Sequence, residues 1–423
     1  MRKIQIKRWA LLLLLLLLFA PVRTPAQFGN VQQKMPTESR IDELRQKGSQ
    51  ALFNLDYKAA RQIFKEMGQL SPRDPLGPQM LAWTLWLEIL NNSRLRQGAI
   101  YSTQSFDAHS EDRPDPRITQ EFRDLIRQAT QLARSRLQSN SRDSDTLYTL
   151  GVLETLRAGF SLTVEGRSLS GLRDGSSAVD KHREVIKLDA NFHDAELTIG
   201  MYDYLVGNLP LAVRLVASLS GARGSKKRGI LRLERVAKLG QWERDNAKLL
   251  LVTFYKREQR LAESLASSRA LQEKYPGNYL FKLETADTLT WRAVAERQAN
   301  RIEAANALEK EALTAFDSLI REYSASGARA PRLDLIHFRY GEAFLLLGQP
   351  DRAAQQFLAA TTAAGGDARL VTRAHLRAAQ SLDLAGKRAE ALAEYRVVMT
   401  RPNTRDSHEQ ARRGLKEPYK KPR

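Results

Sequence analysis

The feature that most constrains this chain is a pattern written twice between residues 336 and 398, first over 340–360 and again over 378–398. In both copies a small residue (Gly341, Ala379) is followed three places later by a large apolar one (Phe344, Leu382) and seven later by Gly (Gly348, Gly386). Ala stands twelve places after the small residue (Ala353, Ala391) and an aromatic sixteen after it (Phe357, Tyr395). The spacing has a physical reading as a helical hairpin. Small residues allow two antiparallel helices to cross at roughly 8–10 Å. A Gly just past the last apolar residue of the first helix suits a left-handed cap. Phe357 and Tyr395 are then expected to be knobs between one hairpin and the next.

The pattern resembles the tetratricopeptide repeat, a helix-turn-helix unit of about 34 residues. A first copy fits from Ile41, where Gly48, Ala60 and Phe64 keep the offsets of the small, Ala and aromatic positions, Ala51 and Tyr57 fall between them, and Pro72 ends the second helix for want of an N–H. No stretch sustains strict apolar-polar alternation, so the expected fold is all-α, a right-handed α–α superhelix with negligible sheet. The resemblance implies a stacked binding surface. By analogy its inner face maps to Leu335, Phe338, Glu342, Leu345 and Leu346, then to Arg373, Leu376, Gln380, Asp383 and Leu384. This mixed apolar and charged row suits an extended peptide or a partner helix.

Residues 1–26 read as a secretory signal. Arg2, Lys3, Lys7 and Arg8 precede an apolar run with unbroken leucine from 11 to 18, and Thr24-Pro25-Ala26 offers a cleavage site before Gln27. The run is short of the ~20 residues a membrane span needs, so cleavage is expected, with an uncleaved inner-membrane anchor as the alternative. No Cys follows, which excludes a lipoprotein anchor, a disulfide framework, a thiolate nucleophile and a Cys-based zinc site.

After a polar linker at 27–37, residues 38–138 form N-terminal repeat-like helices. Within them the run from Met80 to Leu90 is dense in apolar residues and expected to be buried; Trp83 and Trp86 suit core packing better than a cofactor box. Residues 98–117 lose the helical period and read as a loop, and periodicity resumes from Ile118 to Leu137. The middle segment, 139–325, carries Leu147-Tyr148-Thr149-Leu150-Gly151, Ile199-Gly200-Met201-Tyr202-Asp203-Tyr204, Asn208-Leu209-Pro210, Arg228-Gly229-Ile230 and Tyr275-Pro276-Gly277-Asn278. These resemble a divergent family of bacterial exported repeat proteins. More distantly they resemble a eukaryotic repeat family of mitochondrial outer membranes and inclusion-body clearance. Where eukaryotic members show Gly-Asp-Arg, this chain has Gly224-Ser225-Lys226-Lys227-Arg228. The resemblance brings no catalytic residues. Residues 324–331 read as a joint, 330–400 hold the two C-terminal repeats, and 401–423 hold a short capping helix and, from Lys416, a disordered basic tail.

The sequence carries no recognised catalytic motif. There is no P-loop, no His-Glu-x-x-His and no Gly-x-Ser-x-Gly, and His193-Asp194-Ala195-Glu196 reads as a solvated helix start. The expectation is therefore no cofactor, no metal and no catalysis. The formal net charge of +19 favours polyanions. With a secretory signal, envelope lipid or glycan becomes a better polyanion than nucleic acid. A basic turn at Arg223, Lys226, Lys227 and Arg228 could contact such a surface, at ~1 kcal/mol per cation. The leading expectation is an exported, periplasmic or extracellular scaffold that binds another envelope protein or peptide. The alternative is a peripheral protein that holds anionic lipid or glycan through its basic face.

Overall fold

A computed structural model of the chain describes residues 36–92, 115–165, 168–211, 214–215, 223–325 and 333–421. The secretory-like segment, residues 98–114 of the expected loop and residues 326–331 of the expected joint lie outside these. Among the described residues there are seventeen α-helices, one short 3-10 turn and no strand, so the fold is all-α. They group into two compact units.

The first unit holds α1 (Pro36–Phe53), α2 (Tyr57–Leu70), α3 (Leu76–Asn92), α4 (Pro116–Ser139), α5 (Ser144–Thr163), α6 (Ser168–Leu188), α7 (Glu196–Gly207) and α8 (Lys226–Leu239). It also holds the start of α9 (Arg244–Arg257) and the segment Lys274–Asn278. Each of α1 to α7 packs on the next. Glycines mark where backbones or rings close in. The Phe64 ring lies over Gly48 within the first hairpin, and a Cβ on Gly159 would stand 2.5 Å from the Trp86 ring. Trp83 and Trp86 are both core residues, and Trp86 Nε1 donates to Thr163 Oγ1 at 2.9 Å. A Cβ on Gly229 would meet the Gly200 carbonyl oxygen at 2.6 Å. The two Gly-containing motifs of the middle segment thus sit where α7 and α8 touch through their backbones.

The ends of this unit are clasped together. The Phe53 ring stacks on Tyr275 with centroids 4.7 Å apart, Asn54 Oδ1 accepts from the Gly277 N–H at 2.9 Å, and Asn278 Nδ2 donates to the Phe53 carbonyl at 2.7 Å. Two turns earlier on α1, the buried Arg45 guanidinium lies 3.8 Å over the Trp242 ring. Burial drives Arg45 down to about 9, with Glu243 opposing that shift. Glu243 is itself satisfied by the Tyr148 hydroxyl at 3.2 Å and Asn246 Nδ2 at 2.7 Å.

The second unit continues α9 and adds α10 (Leu261–Lys274, to Glu273), α11 (Tyr279–Gln298), α12 (Ile302–Ala325), α13 (Leu333–Leu346), α14 (Pro350–Thr362), α15 (Ala368–Leu384), α16 (Arg388–Met399) and α17 (Ser407–Lys416). Leu265 of α10, Leu289 of α11 and Ala312 of α12 share one core cluster. In the hairpin of α13 and α14, the Phe357 ring lies over Gly341, where a Cβ would stand 2.7 Å away. Phe357 thus locks its own hairpin and also reaches the next, where the Arg377 guanidinium of α15 lies 5.7 Å from its ring centroid, as expected of a knob. Tyr395 also bridges, with its ring over Gly414 of α17.

The hairpin turns share one geometry. Gly348 and Gly386 take φ of +75° and +77°, the left-handed conformation expected of them, and the following N–H closes the helix: Gln349 to the Phe344 carbonyl and Lys387 to the Leu382 carbonyl, both at 2.8 Å. Leu55, Gln259 and Asn300 adopt the same conformation (φ 65°, 59° and 60°). They close the α1, α9 and α11 turns through Asp56 to Ala51, Arg260 to Tyr255 and Arg301 to Glu296.

Candidate functional site

The inner-face row of the C-terminal repeats lies on α13 and α15, which pack on each other. Its apolar members divide by burial. Leu335, Phe338 and Leu376 are buried, while Leu345, Leu346 and Leu384 are partly open. The Phe338 ring meets Phe357 edge-on at 5.3 Å and carries the Arg373 guanidinium above it at 5.1 Å. Arg373 is held down to about 10 by burial, with Arg405 and Arg377 adding like charge. Phe338 is spent on Phe357 of α14 and Arg373 of α15, and Leu376 on the core shared by α14 to α17, which leaves Leu345, Leu346 and Leu384 open.

Of the polar members, Glu342, Gln380 and Asp383 follow one another along the row, and Arg377 links the first two. Glu342 takes a bidentate pair from Arg377, with Nε to Oε1 at 2.6 Å and Nη2 to Oε2 at 2.9 Å. Arg377 Nη1 also donates to Gln380 Oε1 at 3.0 Å. Burial opposes the Arg377 charge, but Glu342 outweighs it and the guanidinium is raised overall. At the end of the line Asp383 has a fully buried side chain. Its carboxylate accepts from Arg388 Nη1 at 2.9 and 3.1 Å, from the Tyr395 hydroxyl at 2.9 Å and from the main-chain N–H of Tyr419 at 2.8 Å.

Tyr419 corrects the expected tail. Residues 417–421 are placed: the chain leaves α17 in extended conformation at Glu417 and returns to α15. The half-buried Tyr419 phenol lies beside the Arg377 guanidinium, while Pro418, Lys420 and Lys421 are exposed. Sequence reasoning missed both Arg377 and Tyr419. Arg377 was within reach, because it stands one helical turn after Arg373 on the same face. Tyr419 was not, because the contact that fixes it is a main-chain N–H that composition does not mark.

The basic turn is divided in the same way. Arg223 and Lys227 are exposed, Lys226 opens α8 half-exposed, and Arg228 is committed to a buried acid, with Nε and Nη2 each 2.7 Å from the Asp203 carboxylate. Asp203 holds Arg228 above its ordinary value. Farther along α8, Arg232 and Arg235 pair with Glu196 at 3.1 and 2.9 Å. The expected solvated helix start at 193–196 is thus wrong in its surroundings. Asp194 and Glu196 are buried, and Asp194 accepts the N–H groups of Gln241, Trp242 and Glu243 at the start of α9. Each acid is spent on different partners.

One buried charged cluster remains, in the second unit. Lys256 Nζ pairs with Glu284, and lies 2.6 Å from Asp287; Arg339 Nη2 lies 3.0 Å from Asp287 and 3.8 Å from Glu284. Burial pushes Glu284 up, whereas Arg339 and Lys256 overcome it at Asp287 and hold that carboxylate low. Two cations and two anions neutralise one another across α9, α11 and α13. No group of three or more His, Asp or Glu poised to hold a metal occurs among the described residues.

The sequence matches no family model and no curated protein. Among solved structures it is similar to human IFIT1 dimer with m7Gppp-AAAA, at TM-score 0.45 and 12% identity, covering 90% of this chain and 86% of that one. It is also similar to yeast Tom70, at TM-score 0.35 and 11% identity, covering 89% and 88%.

Proposed function

We propose that this chain is an exported, non-catalytic repeat scaffold that holds another protein of the bacterial envelope on the α13–α15 face. The N-terminal secretory pattern supports the location, and the stacked hairpins of tetratricopeptide type support a binding rather than a chemical role. The observation that carries the reading is the receipt of a main-chain N–H by Asp383 at the end of the Glu342–Arg377–Gln380 line. An extended polypeptide is recognised in this way, through backbone polar groups for affinity and flanking side chains for selection. The acids that neutralise Arg228, Arg232 and Arg235 weigh against a surface role for the basic turn.

Cross-linking of the chain from Gln27 onward in native envelopes, at low and high salt, tests this. The expected outcome is a discrete protein adduct that survives high salt and maps to α13 and α15. Diffuse adducts that vanish with salt would overturn it and favour the basic-surface alternative, since exposed charges are screened beyond ~8 Å at physiological ionic strength.

A further inference from the structure

We propose that residues 417–421 are a resident occupant of the α13–α15 face, and that the partner displaces them with an extended segment offering an aromatic hydroxyl next to basic residues. The inference rests on the scaffold reading and names the chemistry of its ligand.

The segment makes the contacts a ligand would make. It leaves α17 with Glu417 in extended conformation, its Tyr419 N–H reaches Asp383 at 2.8 Å, and its phenol lies beside Arg377. The residues on either side of Tyr419 are exposed, so a single residue anchors it. A core element would bury its flanks as well. Asp383 is already served by Arg388 and Tyr395, and Arg377 by Glu342, so the face keeps its structure when Tyr419 leaves. What departure exposes is one acceptor lone pair at Asp383 and one ring-sized strip beside Arg377. A partner segment refills both only with a non-proline backbone and a planar side chain whose oxygen can accept from a guanidinium. Because α17 ends at Lys416, the tether to Tyr419 is short. A short tether gives an effective concentration of ~1 mM, which weakens a competitor of ~0.1 mM intrinsic affinity by about tenfold.

The test uses a labelled, C-terminally amidated peptide of residues 415–423, titrated by fluorescence anisotropy. It is added to the chain from Gln27 onward, to the same chain lacking residues 418–423, and to the full-length Tyr419→Ala variant, which keeps every other residue should truncation disturb folding. The peptide is expected to bind the truncated and Tyr419→Ala chains, and to bind the unaltered chain about tenfold more weakly. A peptide carrying Tyr419→Ala is expected to lose binding to all three. Equal binding to altered and unaltered chains, absence of binding to both altered chains, or undiminished binding of the Tyr419→Ala peptide would each overturn the proposal. The two readings fail separately. Peptide binding without a captured envelope protein sinks the scaffold role alone. A captured protein with no gain on removing Tyr419 sinks self-occupancy alone.

Discussion

His182 shows how one residue can set the acid response of the first unit. It is fully buried on α6 against the Tyr148 ring, 5.0 Å between centroids, and burial pushes it down to about 3 from an ordinary 6.5. A group whose folded value is depressed contributes stability that is present above the unfolded value and lost as pH falls toward the folded one. Between about pH 6.5 and 4, His182 alone is thus expected to cost about 1.4 kcal/mol per pH unit. Urea denaturation of His182→Gln at pH 7 and pH 5 should show a smaller loss than the unaltered chain; an unchanged loss would place His182 outside the acid response. Gly151 is matched to this side chain, since a Cβ there would stand 2.6 Å from His182 Nε2. Gly151→Ala is expected to cost about 1–3 kcal/mol through overpacking, read from the denaturation midpoint.

At the level of the element, the recurring unit is a helix closed by a left-handed turn. Where the turn residue is Gly, as at Gly348 and Gly386, the sequence displays the hairpin and α13–α16 could be read directly. Where it is Gln259 or Asn300, the same hydrogen-bonded turn forms without its signature: periodicity showed α11 and α12 as two long helices over 283–299 and 304–323, but not the α9–α10 hairpin. Helix α11 obscures its register further, because nearly every residue from Tyr279 to Thr290 is buried and no polar stripe marks an outer face. The candidate site was legible to a similar depth. Offsets placed the inner-face row on α13 and α15, but could not tell that Phe338 and Leu376 would be spent on packing. The left-handed turn also yields a test. Gln259 is exposed and bears the steric cost of an L residue at positive φ. Gln259→Gly is expected to stabilise the second unit by about 0.5–1 kcal/mol, the backbone relief of ~1–2 kcal/mol less the entropy Gly adds to the unfolded chain. A thermal midpoint that falls instead would show that the turn is not strained.

Across the whole molecule, a strongly basic surface coexists with acids held inside, at Asp194, Glu196, Asp203, Glu243, Glu284 and Asp287. These interior acids each meet a donor or a cation, and in the second unit the Lys256–Glu284–Asp287–Arg339 quartet ties three helices together. Lys256→Met should leave the two carboxylates with Arg339 alone and destabilise the chain by about 3–5 kcal/mol, measured by urea denaturation at neutral pH. A neutral result would mean that the four charges are dispensable as a set. The clasp of the first unit has a consequence in time. Gly277 and Asn54 are 223 residues apart in the chain, yet their contact helps to fix the first hairpin. The N-terminal helices are made first, but the residues that hold them in place arrive only after most of this unit has been synthesised. Loop-closure entropy must be met before those distant contacts give any return, and folding slows as contacts become less local. The earliest-made part of the repeat array is therefore the last to be secured. Until residues 274–278 emerge, the Phe53 ring and the end of α1 lack these partners, and this is the portion in need of a chaperone.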